Sequence, residues 1–126
     1  MGNADRVQSP AELKVLARLR GICTRLPGVS EERDGFGHST FKVAKKSLAI
    51  LGEDEGKPSL AVKTDLHTQA ALIKQGGFTR TPYVGQHGWV SCTGSVNQMN
   101  WKTIEELVID AYRSSAPKKL LKELEG

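Results

Sequence analysis

The sequence predicts an α+β fold in which an antiparallel sheet packs its helices on one face. Three short segments of alternating apolar residues lie between positions 40 and 63 with brief turns between them, which is typical of an antiparallel meander. A strongly amphipathic helix is indicated near the C-terminus, by Ile104, Leu107, Val108, Ala111 and Tyr112. The regular strand–helix alternation of a parallel sheet is missing. The predicted order is α-β-β-β-α-β(β)-α-α, with one or two strands after the meander.

Length and composition predict a single domain spanning residues 1–126, of which we expect 1–8 to be flexible. The hydrophobic share of 38% and the charged share of 25% are typical of a soluble globular protein. No apolar run approaches the ~20 residues of a membrane span, so we expect no membrane partner. The first ten residues contain no apolar segment of the kind found in secretory signals. We therefore expect a cytoplasmic protein, either a monomer or a weak dimer.

The first helix is predicted to begin at Ser9, which has the side chain of a good N-cap. Pro10 suits the first helical position, and Glu12 at the third would complete a capping box. Apolar residues at helical spacing continue to Cys23, and the segment 26–28 ends the helix. We interpret residues 29–38 as a polar connection to the first strand.

The meander is predicted from strands over 40–43, 47–51 and 59–63, with an acidic turn over 52–58. Thr64 or Asp65 would cap a second helix that ends near Lys74, and we expect its buried face to carry Leu66, Ala70 and Ile73. Towards the C-terminus, Asn100 would cap the amphipathic helix. Pro117 would then start a short terminal helix over 118–124.

The stretch 78–92, FTRTPYVGQHGWVSC, is the densest in aromatic, glycine and proline residues. It predicts an irregular loop followed by a strand over 89–92, and the loop would bring Tyr83, His87 and Trp89 together. His38 precedes the first strand and would join this cleft if the two strand starts lie close in space. The alternative is structural: Trp89 belongs to the core and His87 bonds a backbone carbonyl.

The charge pattern allows an anionic partner, since the net charge is +4 and the pI is about 9.2. Five basic residues are candidates for phosphate contacts: Lys42, Lys45, Lys46, Lys63 and Arg80. A hairpin with lysines at its tip can approach a nucleic-acid groove. Lysines at sheet edges also prevent unwanted strand pairing, and the turn with Glu53, Asp54 and Glu55 would offset their charge.

Catalytic signatures are missing from the sequence. No glycine-rich dinucleotide loop follows a strand, and no GxSxG elbow is present. The histidines are scattered, and Cys23 and Cys92 form no metal-ligand pattern, so we interpret both as buried apolar residues. We expect a non-enzymatic protein without a cofactor or a bound metal.

Three motifs together resemble the YjbR/MmcQ-like family. They are GHSTFKVAKKSLAIL (37–51), FTRTPYVGQHGWVSC (78–92) and NWKTIEELVIDAYRSSAPKKL (100–120). The resemblance covers nearly the whole chain from the first helix onward, and its most specific part runs from Pro82 to Trp89. Two positions depart from the family pattern: Ala111 replaces a serine, and Ser39 replaces a proline. Neither change affects the expected fold, although either could alter a site.

The resemblance implies a compact α/β sandwich, similar in outline to frataxin-like and type III secretion chaperone folds. It also implies a double-wing DNA-binding domain of the bacterial cytoplasm. The wings would be the hairpin at Lys45-Lys46 and the turn at Gly85-Gln86-His87. DNA is then the expected partner, bound with weak sequence preference through the five basic residues. The alternative is a small molecule or protein partner at the Tyr83/His87/Trp89 surface.

Overall fold

A computed structural model describes residues 6–126. Its helices are α1 (Pro10–Cys23), α2 (Leu66–Gln75), α3 (Trp101–Ser115) and α4 (Lys118–Glu125). Its strands are β1 (Ser30–Arg33), β2 (Ser39–Val43), β3 (Lys46–Asp54), β4 (Lys57–Val62), β5 (Thr79–Arg80) and β6 (Val90–Thr93). Within the described residues the strands form one antiparallel sheet in the order β1-β2-β3-β4-β6-β5. The predicted class, an α+β fold built on an antiparallel meander, is confirmed.

The start of α1 is confirmed at Ser9, whose hydroxyl accepts a hydrogen bond from the backbone N–H of Glu12 at 3.1 Å. The second half of the predicted capping box does not form. The Glu12 carboxylate is fully buried and instead accepts hydrogen bonds from Arg6 and Gln8. Of the segment 1–8 that we expected to be flexible, 1–5 lie outside the described residues, whereas Arg6 and Gln8 carry contacts to the folded domain.

The segment 29–38, which we interpreted as a connection, contains strand β1. Its residues pair with β2 in the register Ser30↔Lys42 to Arg33↔Ser39. All four side chains of β1 are exposed, so the apolar alternation that reveals a half-buried strand is absent. The prediction of a connection here was wrong, because this strand is held by backbone pairing and not by burial.

One face of the sheet forms the core with α1 and α3. Opposed positions of neighbouring strands point to the same face, and this places Phe41 opposite Ala49 and Leu60 opposite Cys92 on the buried side. Helix α3 contributes its predicted stripe, all of it buried: Ile104, Leu107, Val108, Ala111 and Tyr112. The Tyr112 hydroxyl donates a hydrogen bond to the Pro27 carbonyl at 2.6 Å, which joins α3 to the end of α1.

Helix α2 begins at the predicted cap, since Asp65 accepts a hydrogen bond from the Thr68 backbone N–H at 2.7 Å. The face that it buries differs from the prediction. Leu66 and Ile73 are exposed, whereas Gln69 and Leu72 face inward. The apolar spacing was misleading because Gln69 turns inward to donate hydrogen bonds to carbonyls of the loop before β6.

The remaining helices follow the sequence prediction. Asn100 caps α3 by accepting from the Thr103 backbone N–H at 3.2 Å. Helix α4 begins after Pro117 and packs Leu120, Leu121 and Leu124 against the core. No helix among residues 6–126 is long and apolar enough to cross a membrane.

Candidate functional site

The five predicted basic residues lie towards one end of the strands, where β2, β4 and β5 end and β3 and β6 begin. We call this end of the sheet the basic edge. Lys45 lies in the turn between β2 and β3, Lys46 begins β3, and Lys42 pairs with Ser47 beside them. Lys63 follows β4, and its backbone N–H donates to the Leu48 carbonyl. Arg80 ends β5 opposite Val90, which in turn pairs with Val62 at the end of β4.

The acidic turn lies at the opposite edge. Strand β3 runs nine residues from Lys46 to Asp54, so its two ends are roughly 25 Å apart at about 3.3 Å per residue. Glu53, Asp54 and Glu55 sit at the far end, and Glu53 forms an ion pair with Arg6 at 3.2 Å. The acidic turn is therefore too far away to neutralise the lysines, since this separation exceeds the Debye length of ~8 Å at physiological salt.

The tip of the β2–β3 hairpin has two adjacent non-glycine residues in the left-handed region. The φ angles are 49° at Ala44 and 69° at Lys45. Two such residues in a two-residue loop give the twist that suits flanking antiparallel strands, although asparagine and glycine are the usual choices. The turn therefore stores backbone strain, and it presents Lys45 to solvent at a fixed position.

The loop before β6 is attached to the rest of the fold by hydrogen bonds and by close packing. The buried Gln69 amide donates to the Gly85 and Trp89 carbonyls, both at 2.8 Å. The Lys63 ammonium donates to the His87 carbonyl at 2.5 Å and to the Thr64 carbonyl at 2.8 Å. Gly88 packs so tightly that an added Cβ would collide with the Thr64 carbonyl. These contacts hold the second predicted wing against α2 and the end of β4.

Two adjoining cavities open between the hairpin, this loop and the end of α3. The first, which we call the basic cavity, has a volume of about 470 Å³ and is lined by Lys46, Ser47, Lys63, His87, Trp89 and Ser115. The second, of about 380 Å³, shares both lysines and Ser115 but also carries Asp65 and Asp110. An anion is favoured in the basic cavity, because its lining within residues 6–126 contains no carboxylate.

The four lysines of the basic edge differ in the ion pairs and hydrogen bonds that they form. Lys42 is half-buried and forms an ion pair with Glu32 at 3.4 Å. Lys63 uses two of its three donors on backbone carbonyls. Lys45 and Lys46 are exposed and form no ion pair or side-chain hydrogen bond with the described residues. These two are therefore the ammonium groups most available to an anionic ligand.

The candidates for the aromatic cleft are only partly brought together. His87 and Trp89 both line the basic cavity; His87 is exposed, whereas Trp89 is 7% exposed. Trp89 nevertheless lies outside the main apolar cluster that α1 and α3 form with the sheet. Tyr83 is 95% exposed and does not line either cavity.

His38 lies away from this group. It precedes β2, and an added Cβ on Gly52 would touch its imidazole, which places it at the acidic end of β3. Strands β2 and β6 run in opposite directions, so their first residues lie at opposite edges of the sheet. At that edge the His38 Nδ1 atom lies 3.4 Å from a carboxylate oxygen of Asp34, and the imidazole stacks on Phe36.

Three residues of the site were not among the candidates from the sequence: Ser47, Ser115 and Gln69. Ser115 reaches the cavity because the last turn of α3 crosses the start of β3. In the sequence, Gln69 is a polar residue between the apolar positions of α2. This was the one feature that could have indicated its inward orientation.

The two cysteines are buried and free, as the sequence predicted. Burial raises the pKa of Cys23 to about 12 and that of Cys92 to about 11. At neutral pH both thiols are protonated and are therefore poor nucleophiles. Asp65 in the second cavity has a lowered pKa, because its carboxylate accepts hydrogen bonds from the backbone N–H and hydroxyl of Thr68.

Comparison with known proteins gives a family and a structural relative. A family model described as YjbR matches residues 24–114. A crystal structure of a Deinococcus radiodurans protein described as a DUF419 domain is similar in fold, with a TM-score of 0.67 and 22% sequence identity. The similarity covers 94% of this chain and 92% of that chain. No curated protein sequence matches the chain.

Proposed function

The chain belongs to the YjbR family, and from that premise we propose that it is a DNA-binding domain that contacts phosphates through its basic edge. The observation that carries the proposal is the clustering of basic side chains at one edge, with the acidic turn at the other. Phosphate contacts supply most of the affinity of proteins that bind DNA without strong sequence preference. A one-sided charge distribution of this kind also orients the domain on an anionic surface.

The spacing of the basic groups is suitable for a nucleic-acid backbone. Lys46 begins β3 and Arg80 ends β5, with β4 and β6 between those strands. Arg80 is in register with Ala49, three strand spacings of ~4.8 Å away, and Ala49 lies three residues beyond Lys46 along β3, so the two positions are roughly 17 Å apart. At ~3.4 Å per nucleotide along one strand, this distance corresponds to roughly five steps. Lysine at the tip of a hairpin binds phosphate as a point charge, which supports weak sequence preference.

The proposed role is binding without catalysis. Both thiols are buried with raised pKa values, and the Lys63 ammonium is held by two carbonyls. The two thiols and the Lys63 ammonium are therefore poorly available as nucleophiles near neutral pH. Lys45 and Lys46 are exposed, as suits groups that bind anions by charge alone.

The test is fluorescence anisotropy with a labelled random-sequence duplex at low and moderate salt. We expect the affinity to fall steeply with salt. The double variant Lys45→Glu/Lys46→Glu should lower the affinity about tenfold or more and reduce the salt slope by about 2, one unit for each lost phosphate contact. Its melting temperature should stay near that of the wild type, since both side chains are exposed.

A charge-matched control separates local contacts from net charge. Lys57→Glu/Lys102→Glu makes the same change in net charge at two exposed positions, one at the far end of β3 and one in the first turn of α3. We expect this control to retain most of the affinity. An equal loss in both double variants would refute specific contacts at the basic edge, and no binding at low salt would refute the DNA proposal.

A small anionic ligand is the second candidate. The basic cavity favours it, because a volume of about 470 Å³ is within the range of small-molecule sites and Trp89 lies in its wall. Pyrophosphate would be the first probe, in a thermal-shift titration. A rise in melting temperature that Lys46→Ala abolishes would support this function, whereas no shift at millimolar probe would exclude pyrophosphate-like anions.

A further inference from the structure

Tyr83 is held in an unusual position beside the basic edge. Its side chain is 95% exposed, and its backbone φ is +66°, in the left-handed region that bulky residues rarely adopt. Such a conformation costs about 1–3 kcal/mol unless glycine occupies it. An exposed ring gains little from burial in return, so neither packing nor backbone preference accounts for a tyrosine here.

The loop that carries Tyr83 is firmly attached. Immediately after Tyr83, residues 84–88 form a short helical turn in which the His87 N–H donates to the Val84 carbonyl at 2.9 Å. Gln69 donates a hydrogen bond to the Gly85 carbonyl, and Lys63 donates one to the His87 carbonyl. These two bonds hold the turn in place. The ring therefore projects from a fixed support, which lowers the entropy lost when it contacts a ligand.

Basic side chains lie on both sides of the turn that follows Tyr83. Arg80 is exposed three residues earlier, and its side chain lies across Gly85, where an added Cβ would collide with it. His87 and Lys63 lie at the other end of the same turn. An exposed aromatic face flanked by basic side chains is the arrangement that binds single-stranded nucleic acid, by stacking on bases and by contacts to phosphates.

We propose that Tyr83 stacks on an unpaired base, so that the preferred ligand is single-stranded DNA or a duplex that carries unpaired bases. This inference rests on the proposed DNA-binding function and specifies its substrate. A base inside an intact duplex is covered on both faces by its neighbours and offers no surface to a side chain. The phosphate contacts at Lys45 and Lys46 are common to both ligands, whereas the stacking contact is available only where a base is unpaired.

The chain offers a matched control in Phe36. This aromatic side chain is also highly exposed, at 68%, but lies at the opposite edge of the sheet. Its backbone N–H donates to the Asp34 carboxylate, and its ring stacks on His38. Phe36 therefore differs from Tyr83 in having a carboxylate beside it and a ring that is already stacked on an imidazole.

The experiment compares one labelled oligonucleotide as a single strand and as a blunt duplex, by anisotropy at moderate salt. We expect the wild type to bind the single strand more tightly. Tyr83→Ala should lower that affinity about tenfold, the usual cost of losing one stacked base, while leaving the duplex affinity nearly unchanged. Tyr83→Trp should retain the preference, and Phe36→Ala should alter neither affinity.

The outcomes separate this inference from the function on which it rests. If Tyr83→Ala keeps the single-strand affinity, or weakens both ligands equally, stacking is refuted while DNA binding stands. If the wild type binds neither ligand, both proposals fail. We expect Tyr83→Ala to melt at the wild-type temperature, because the ring is exposed. That result would rule out a folding defect as the cause of lost binding.

Discussion

Replacing Arg6 by alanine tests whether the segment before α1 is part of the folded structure. The Glu12 carboxylate is fully buried and accepts two hydrogen bonds from the Arg6 guanidinium, at 2.8 and 3.0 Å. Gln8 donates a third at 2.9 Å, and Arg6 also reaches the Gly37 carbonyl. Removing Arg6 leaves a buried carboxylate with only one donor from the N-terminal segment.

The cost follows from the burial of this pair. Breaking a fully buried ion pair costs about 3–5 kcal/mol, because the remaining charge is uncompensated. The Arg6 side chain is 22% exposed and Gln8 remains, so we expect a cost at or just below the lower end of that range, about 2–3 kcal/mol. For a domain with a total stability of roughly 5–15 kcal/mol, this loss is easily measured.

Urea unfolding at neutral pH supplies the measurement, with Arg20→Ala as the matched control. Arg20 donates two hydrogen bonds to Glu31, both at 2.7 Å, but its side chain is 51% exposed. A surface pair of this kind contributes about 1 kcal/mol or less. If Arg6→Ala costs no more than Arg20→Ala, the contact between Arg6 and Glu12 does not stabilise the fold.

The pair formed by Arg6 and Glu12 also makes the stability of the domain depend on pH, in a direction that can be predicted. Burial raises the pKa of Glu12, but the hydrogen bonds from Arg6 and Gln8 outweigh it and hold the pKa below its usual range. The stabilisation is therefore present above the unfolded-state pKa of ~4.3 and is lost as the pH falls through the lower folded-state value. In Arg6→Ala, burial dominates and Glu12 protonates more readily. The stability difference between wild type and variant should thus shrink below about pH 4.

Two further predictions concern the loop and the thiols. Gly88→Ala should destabilise the domain by about 2 kcal/mol or more, because φ is +96° and the new Cβ would collide with the Thr64 carbonyl. Urea unfolding measures this change in stability, and a near-neutral effect would contradict the tight contact. Cys23 and Cys92 should resist a thiol reagent at pH 8 in the native state and react fully in denaturant, since their pKa values are about 12 and 11. Rapid reaction of either native thiol would show that its burial is incomplete.

The helix starts could be predicted because each one is encoded locally. Ser9, Asp65 and Asn100 all accept the backbone hydrogen bond expected of an N-cap. The apolar stripe of α3 was equally direct, since one side of that helix alone faces the sheet. Helices that are defined by their own caps and apolar stripes were therefore predicted correctly, with their ends placed within a few residues.

The errors arose where long-range contacts override the local pattern. Strand β1 has no buried face, so nothing in its sequence distinguishes it from a polar connection. Helix α2 turns a glutamine inward because carbonyls of the loop before β6 need donors. Its apolar residues Leu66 and Ile73 are left exposed as a consequence. Neither outcome can be derived without knowing which segments become neighbours.

The positions of His38 and of the acidic turn could have been derived from the topology alone. In a meander, successive turns lie at alternate edges of the sheet, so the lysine-bearing turn before β3 and the acidic turn after it must be separated by the full length of β3. The same alternation places the starts of β2 and β6 at opposite edges, which separates His38 from His87. The sequence pattern assigned both acidic and basic turns to one surface because neighbours along the chain were treated as neighbours in space. Once the edges are distinguished, the lysines of the β2–β3 turn and the acidic turn belong to separate surfaces, and it is the first of these for which we propose an anionic partner.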